Sequence, residues 1–263
     1  MAVETYMTRR RLPMSLQLAT TAMNAAVYAG VGALWTVFPV TAYGIRFWPQ
    51  VFIPATFSVL FGAWTGGVGA AIGIFLADVI YGHHDALLSL LVGVPSNFLG
   101  FFIIGWLSNS NQSPAARRVL IAASLLIPVV LAGYGIYLVA GPALFATAQL
   151  LLAFVGLVVV VAILSLTVVR NRWANFEAAA SIGLGIGSLI IGIGIVAYSS
   201  VFTLPAIVGR GPLPISIIYA ATTFTYLSEI PFMVLLTPPI VAACRTAFPS
   251  LRGLAESHAA ERA

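Results

Sequence analysis

Apolar runs follow one another along this chain, and arginine lies in the gaps between them and at the ends, not within them. About 20 apolar residues cross the hydrocarbon layer as an α-helix, and runs of that order lie over 16–40, 86–107, 119–139, 143–169, 178–198 and 213–243. Between the first two lie shorter runs, 48–61 and 68–80, separated by Gly62, Trp64, Thr65, Gly66 and Gly67. At 1.5 Å per residue each covers roughly 20 Å, which reads as short tilted spans or as a re-entrant pair buried in protein. With 60% hydrophobic and 7% charged residues, the chain lies far from soluble domains, where about a quarter of residues are charged. The expectation is an all-α, polytopic transmembrane helix bundle of six full-length spans plus two short helices, eight segments in all. It has a cytoplasmic arm over 1–15, a single bundle over 16–243 and a short cytoplasmic tail over 244–263, too short to be a domain. The place is the cell membrane, crossed several times.

All twelve basic residues are arginine. If the N-terminus is cytoplasmic and each segment crosses once, Arg9, Arg10, Arg11, Arg117, Arg118, Arg170, Arg172, Arg245, Arg252 and Arg262 face the cytoplasm, and Arg46 and Arg210 face out. That split follows the positive-inside rule and puts both termini inside. Anionic headgroups account for the net charge of +5, so it carries no argument for nucleic acid. The run over 16–40 exceeds a signal-peptide core of 7 to 15 residues and reads as a retained helix.

Several chemistries are excluded. Without lysine there is neither a P-loop nor a Schiff base, and the single cysteine, Cys244, leaves no disulfide framework. His83, His84 and His258 offer no facing pair for haem. The chain is expected to be no enzyme and to hold no cofactor.

The candidate site residues are polar groups that lipid would not tolerate. A charged residue at mid-helix costs about 2.5–3.5 kcal/mol on insertion scales. Glu229 lies deep in the last run, and at helical spacing before it come Tyr226, Thr223, Thr222 and Tyr219, a polar stripe that should look at the bundle interior. Pro231 frees the Leu227 carbonyl beside it. Asp78 is followed by Tyr81, His83, His84 and Asp85; adjacent helical residues point about 100° apart, so the two histidines share an ion only in a loop conformation. The segment reads as a solvated turn or as the lining of an outward-facing ligand site, and no metal is assigned. Asn97 needs a partner within the membrane. In the first outer loop stand Tyr43, Arg46, Phe47, Trp48 and Gln50, where Arg46 either pairs with Asp78 or Asp85 or meets an anionic group on a ligand. The expected site for a small molecule arriving from outside is therefore lined by Arg46, Trp48, Gln50, Asp78, Asn97, Tyr219, Tyr226 and Glu229. Ala22 and Ala26, with Ala25, Ala29 and Ala33, give the first helix small-residue faces that suit close helix contact, internal or with a partner.

The stretch Arg46-Phe47-Trp48-Pro49, then Leu60-Phe61-Gly62-Ala63-Trp64-Thr65-Gly66-Gly67, then Gly73-Ile74-Phe75-Leu76-Ala77-Asp78 and Asn97 resembles the membrane-embedded substrate-binding (S) components of energy-coupling factor transporters. The resemblance covers about 90 residues. It implies capture of a vitamin-like molecule from outside beneath a lid made by the first outer loop. It also implies docking onto a transmembrane coupling protein with two ATPase subunits, with Ala22 and Ala26 matching the small-residue docking motif of the first helix. That family normally has six helices. Eight-helix membrane sensor domains of bacterial signalling proteins share the Trp-Pro and the Gly-rich turn and fit the helix count better, and a structural membrane subunit without a ligand is the third alternative.

Overall fold

The computed structural model describes residues 13–35, 41–42, 45–81, 85–110, 112–139, 173–202, 204 and 211–249. Among them run helices α1 (Met14–Trp35), α2 (Phe52–Phe61), α3 (Ala63–Tyr81), α4 (Ala86–Ser108), α5 (Pro114–Val139), α6 (Ala174–Val201) and α7 (Ser216–Ala247). A two-residue antiparallel pair, β1 (Thr41–Ala42) with β2 (Ile45–Arg46), and a 3₁₀ turn over Pro49–Val51 join α1 to α2. Among the described residues five helices are long and apolar enough to cross a membrane: α3, α4, α5 over Pro114–Leu131, α6 and α7. This is an all-α membrane bundle. Large aliphatic side chains such as Leu90, Leu91, Val129, Val130, Leu189, Ile193 and Leu235 stay exposed on the helix flanks, which is where a bundle with helical backbone hydrogen bonds meets lipid.

The helices compare with the expected spans in three respects. The run over 68–80 is not a short segment, because α3 begins at Ala63 and has 19 residues, enough to cross. Only Gly62, with φ of 98°, makes the turn after α2; that left-handed conformation suits glycine. Gly66 and Gly67 continue the helix, since their bare faces meet Ser58 of α2 and Phe98 and Phe102 of α4, and packing there outweighs poor helix propensity. In the second respect, α1 has the length to cross, 22 residues; Gln17, Thr20, Thr21 and Asn24 dilute its apolar character, and the end of the expected run, 36–40, lies outside the described residues. Third, the helices run past the expected limits: α5 takes in Arg117 and Arg118, α6 starts at Ala174 and buries Glu177 in its first turn, and α7 extends to Ala247. An acidic residue in a helix's first turn complements the positive end of its dipole. The run over 143–169 lies outside the described residues, as do His83, His84, Tyr43, Arg210 and the chain ends.

Polar side chains fasten the helices where their backbones come close. Asn24 donates from Nδ2 to the carbonyls of Thr65 (3.1 Å) and Gly66 (3.3 Å), tying α1 to the start of α3. Ser58 donates to the Phe101 carbonyl at 3.0 Å, and Asn109 to the Ser58 carbonyl at 3.1 Å, so α2, α3 and α4 meet at one end. At the other end Asp85 caps α4, accepting from the Leu87 N–H at 3.2 Å and from the Tyr198 hydroxyl at 2.7 Å. The tyrosine bond first, and the amide second, hold the Asp85 carboxyl below its ordinary range.

The orientation of the helices follows from these contacts. Arg117 donates from Nε to Asn175 Oδ1 at 2.8 Å, so α5 and α6 start at the same end. The next helix runs back along α6, with Thr222 beside Ser188 and Tyr226 beside Ser181, which carries Arg245 in its last turn toward the end where Arg117 lies. Arg46 stands at the opposite end, on β2. Arg117 and Arg245 thus lie toward one end of the bundle and Arg46 toward the other.

Candidate functional site

A cavity of about 100 Å³ lies among α1, β2, α3, α4, α6 and α7, lined by Tyr28, Ile45, Arg46, Trp48, Ile74, Asp78, Leu88, Ser89, Val92, Gly93, Asn97, Ile191, Ile195 and Glu229. Each polar group reaches it for a local reason. The β1–β2 pair turns Arg46 inward, where it is 6% exposed, with its guanidinium carbon 5.1 Å from the centre of the Trp48 ring. Trp48 in turn meets Tyr28 edge to face, ring centres 6.2 Å apart. In α4, Pro95 has no N–H for the Leu91 carbonyl, and the turn Ser89–Gly93 widens to π geometry, a distortion often found at functional sites.

Ser89 of that turn donates to Asp78 Oδ2 at 2.6 Å. Asn97, one turn on, accepts from the Tyr28 hydroxyl at 2.9 Å and donates to the Gly93 carbonyl at 3.0 Å. The structure therefore gathers five of the eight expected residues, Arg46, Trp48, Asp78, Asn97 and Glu229, around one cavity.

The other three lie off it. Gln50 is fully buried behind Trp48, next to Gly32 of α1. Tyr226 is a full turn from the cavity and shares a 2.6 Å hydrogen bond with Ser181 of α6. Tyr219 lies a further two turns back and is half-buried. The polar stripe fails as a single surface because α7 packs on more than one neighbour: Thr222 and Tyr226 are taken up by α6, leaving Glu229 to the cavity. Sequence reasoning also missed Tyr28 and Ser89. Tyr28 had a signal, four residues after Asn24 on the same helical face; Ser89 had none, since it meets Asp78 only through the bend between α3 and α4.

The electrostatics centre on Arg46. Neither Nη1 nor Nη2 has a hydrogen-bond partner among the described residues. Burial pulls its pKa down from 12.5 to about 10, with the Asp78 charge opposing the shift. The residue keeps its charge at neutral pH. Asp85, the other expected partner, is engaged by Tyr198. A buried guanidinium in this state is costly, and its planar fork fits a carboxylate bidentately.

The α1 residues Ala22 and Ala26 are exposed, whereas Ala25 and Ala29 are buried; one small-residue face packs in the bundle and the other points away from it. No cluster of three or more metal-ligating side chains occurs among the described residues. Set against known protein families, characterised proteins and solved structures, the chain matches none.

Proposed function

We propose that this chain is a passive, membrane-embedded binding subunit of an uptake transporter. It takes a small carboxylate-bearing molecule from the side where Arg46 lies, outside a cell membrane with both termini cytoplasmic. Separate subunits, a transmembrane coupling protein and two ATPases, supply the energy, as the resemblance to energy-coupling factor S components implies. The observation that carries the reading is the buried Arg46 fork, unpartnered among the described residues, on the wall of a cavity with Trp48, Asp78 and Asn97. The ligand's carboxylate meets Arg46, its apolar part lies on Trp48, and a donor group such as an ammonium faces Asp78. A void of about 150 Å³ holds benzene, so this cavity of about 100 Å³ takes a charged head of only a few heavy atoms. Zwitterions and small carboxylates fit that description better than a whole vitamin.

Two measurements test the reading. The purified protein's thermal midpoint is expected to rise with small carboxylates or zwitterions and to ignore their amides; a panel without any responder overturns the binding role. Because Ala22 and Ala26 are exposed, replacing both with Trp is expected to leave folding and ligand response intact while abolishing co-purification with a coupling protein. Ligand binding with no coupling protein found in either form would favour the sensor alternative.

A further inference from the structure

A second cavity, about 30 Å³, lies deeper in the bundle between α4, α6 and α7. Its polar lining is Ser96, Asn97, Ser188, Thr225 and Glu229, and it shares Asn97 and Glu229 with the ligand cavity. About 10–15 Å³ on such a measure accommodates one water-sized particle, so the space suits one or two.

The hydrogen-bond bookkeeping gives the lining a sign. Ser96 donates its hydroxyl proton to the Gly93 carbonyl at 2.9 Å, Thr225 donates to the Ala221 carbonyl at 2.9 Å, and the Asn97 amide donates to Gly93 at 3.0 Å. The second Asn97 N–H reaches Ser96 Oγ at 3.5 Å and the Tyr28 hydroxyl donates to Asn97 Oδ1 at 2.9 Å, so Ser96, Asn97 and Thr225 have no proton left to donate but each keeps an oxygen lone pair. Ser188 Oγ is 1% exposed and has no partner among the described residues. Glu229 is 6% exposed in the middle of a spanning helix. A lining rich in acceptors, with one carboxylate and a single uncommitted hydroxyl, favours a positive occupant.

We propose that this cavity binds a small monovalent cation of sodium size. A hard cation takes oxygen ligands, here the Glu229 carboxylate with the Ser188, Thr225 and Ser96 hydroxyls and the Asn97 amide oxygen. The charge of the occupant follows from the count of carboxylates: one Glu neutralises one positive charge in a low-dielectric interior, whereas divalent sites gather several. Since Glu229 and Asn97 belong to both cavities, the cation sits on the floor of the ligand site and fixes that floor's charge. The site does not depend on the transporter reading, because its cation can be detected with no ligand or partner present.

The test uses the whole 263-residue chain in detergent at constant pH and ionic strength, with NaCl replacing choline chloride, and follows the thermal midpoint. The wild type is expected to show a saturable rise with sodium and none with choline, with potassium weaker because of the small volume. Ser188→Ala is expected to raise the half-saturating sodium concentration about tenfold, as loss of one good polar contact does, without lowering the midpoint in choline, since its hydroxyl has no partner among the described residues to lose. Glu229→Gln is expected to abolish the sodium response; should that variant fail to fold, Thr225→Val serves beside Ser188→Ala. A wild type indifferent to sodium overturns the site, including the case in which its midpoint varies with pH alone, which would mean that Glu229 holds only a proton. A sodium response unchanged in Ser188→Ala overturns it as well.

Discussion

Replacing Arg46 with glutamine is expected to weaken ligand binding by about 100-fold, while the protein keeps or gains thermal stability. The loss corresponds to roughly 2–3 kcal/mol, the scale of hydrogen bonds to a charged group. Stability moves the other way because the guanidinium is buried without a hydrogen-bond partner at Nη1 or Nη2 among the described residues, so the free protein carries a desolvation cost that glutamine removes. Binding to the responding carboxylate by titration calorimetry and unfolding of the apo-protein separate the two effects. If the variant lost stability and kept its affinity, Arg46 would be a structural counter-charge to Asp78. The pH dependence has a definite sign too: with Arg46 titrating near 10, its contribution to carboxylate affinity persists through neutral pH and fades as pH rises through that value.

Gly183→Leu is expected to destabilise the bundle by about 3 kcal/mol or more, the upper end of overpacking costs. A Cβ at Gly183 would stand 2.5 Å from the Gly100 carbonyl oxygen and 2.6 Å from the Ile104 side chain. Backbone on a packed helix does not yield as a flexible side chain does, so α4 and α6 must separate. Their separation would also open the sodium cavity, which both helices line. Gly30→Leu on the exposed face of α1 has nothing within 4 Å and is expected to change stability by only about 0.5 kcal/mol. Heating each variant in detergent and measuring the fraction that remains monodisperse by size exclusion compares them directly; equal behaviour would show that the α4–α6 crossing is looser than its geometry.

The fold class was legible because lipid imposes a simple rule. A chain that satisfies its backbone within the hydrocarbon must be helical or a closed barrel, and runs of about 20 apolar residues separated by arginine leave only the helix. The positions of α4 to α7 were readable on those terms, to within a few residues at each end. α3 was misread because glycine is a poor helix former in isolation, and nothing along the chain announces that Ser58 and Phe98 fill the space beside Gly66 and Gly67. Capping and packing at helix ends, as at Asp85 and Glu177, likewise depend on neighbours that the run lengths do not name.

The site was half legible for a related reason. Arg46, Asp78, Asn97 and Glu229 stand out because a polar group is expensive in a membrane, and Trp48 stands out beside Arg46, so the sequence by itself determined which side chains needed an explanation. Whether each is answered by a neighbour or by a cavity was decided only when distant segments met: Tyr226 found Ser181 across 45 residues, Asp78 found Ser89 across the α3–α4 bend, and Tyr28 found Asn97 69 residues away. Arg46, by contrast, met an aromatic face and an open space. The cost of burying a polar group belongs to the residue and can be read from its identity, whereas the hydrogen bond that offsets it belongs to a pair, and only tertiary structure chooses the pair.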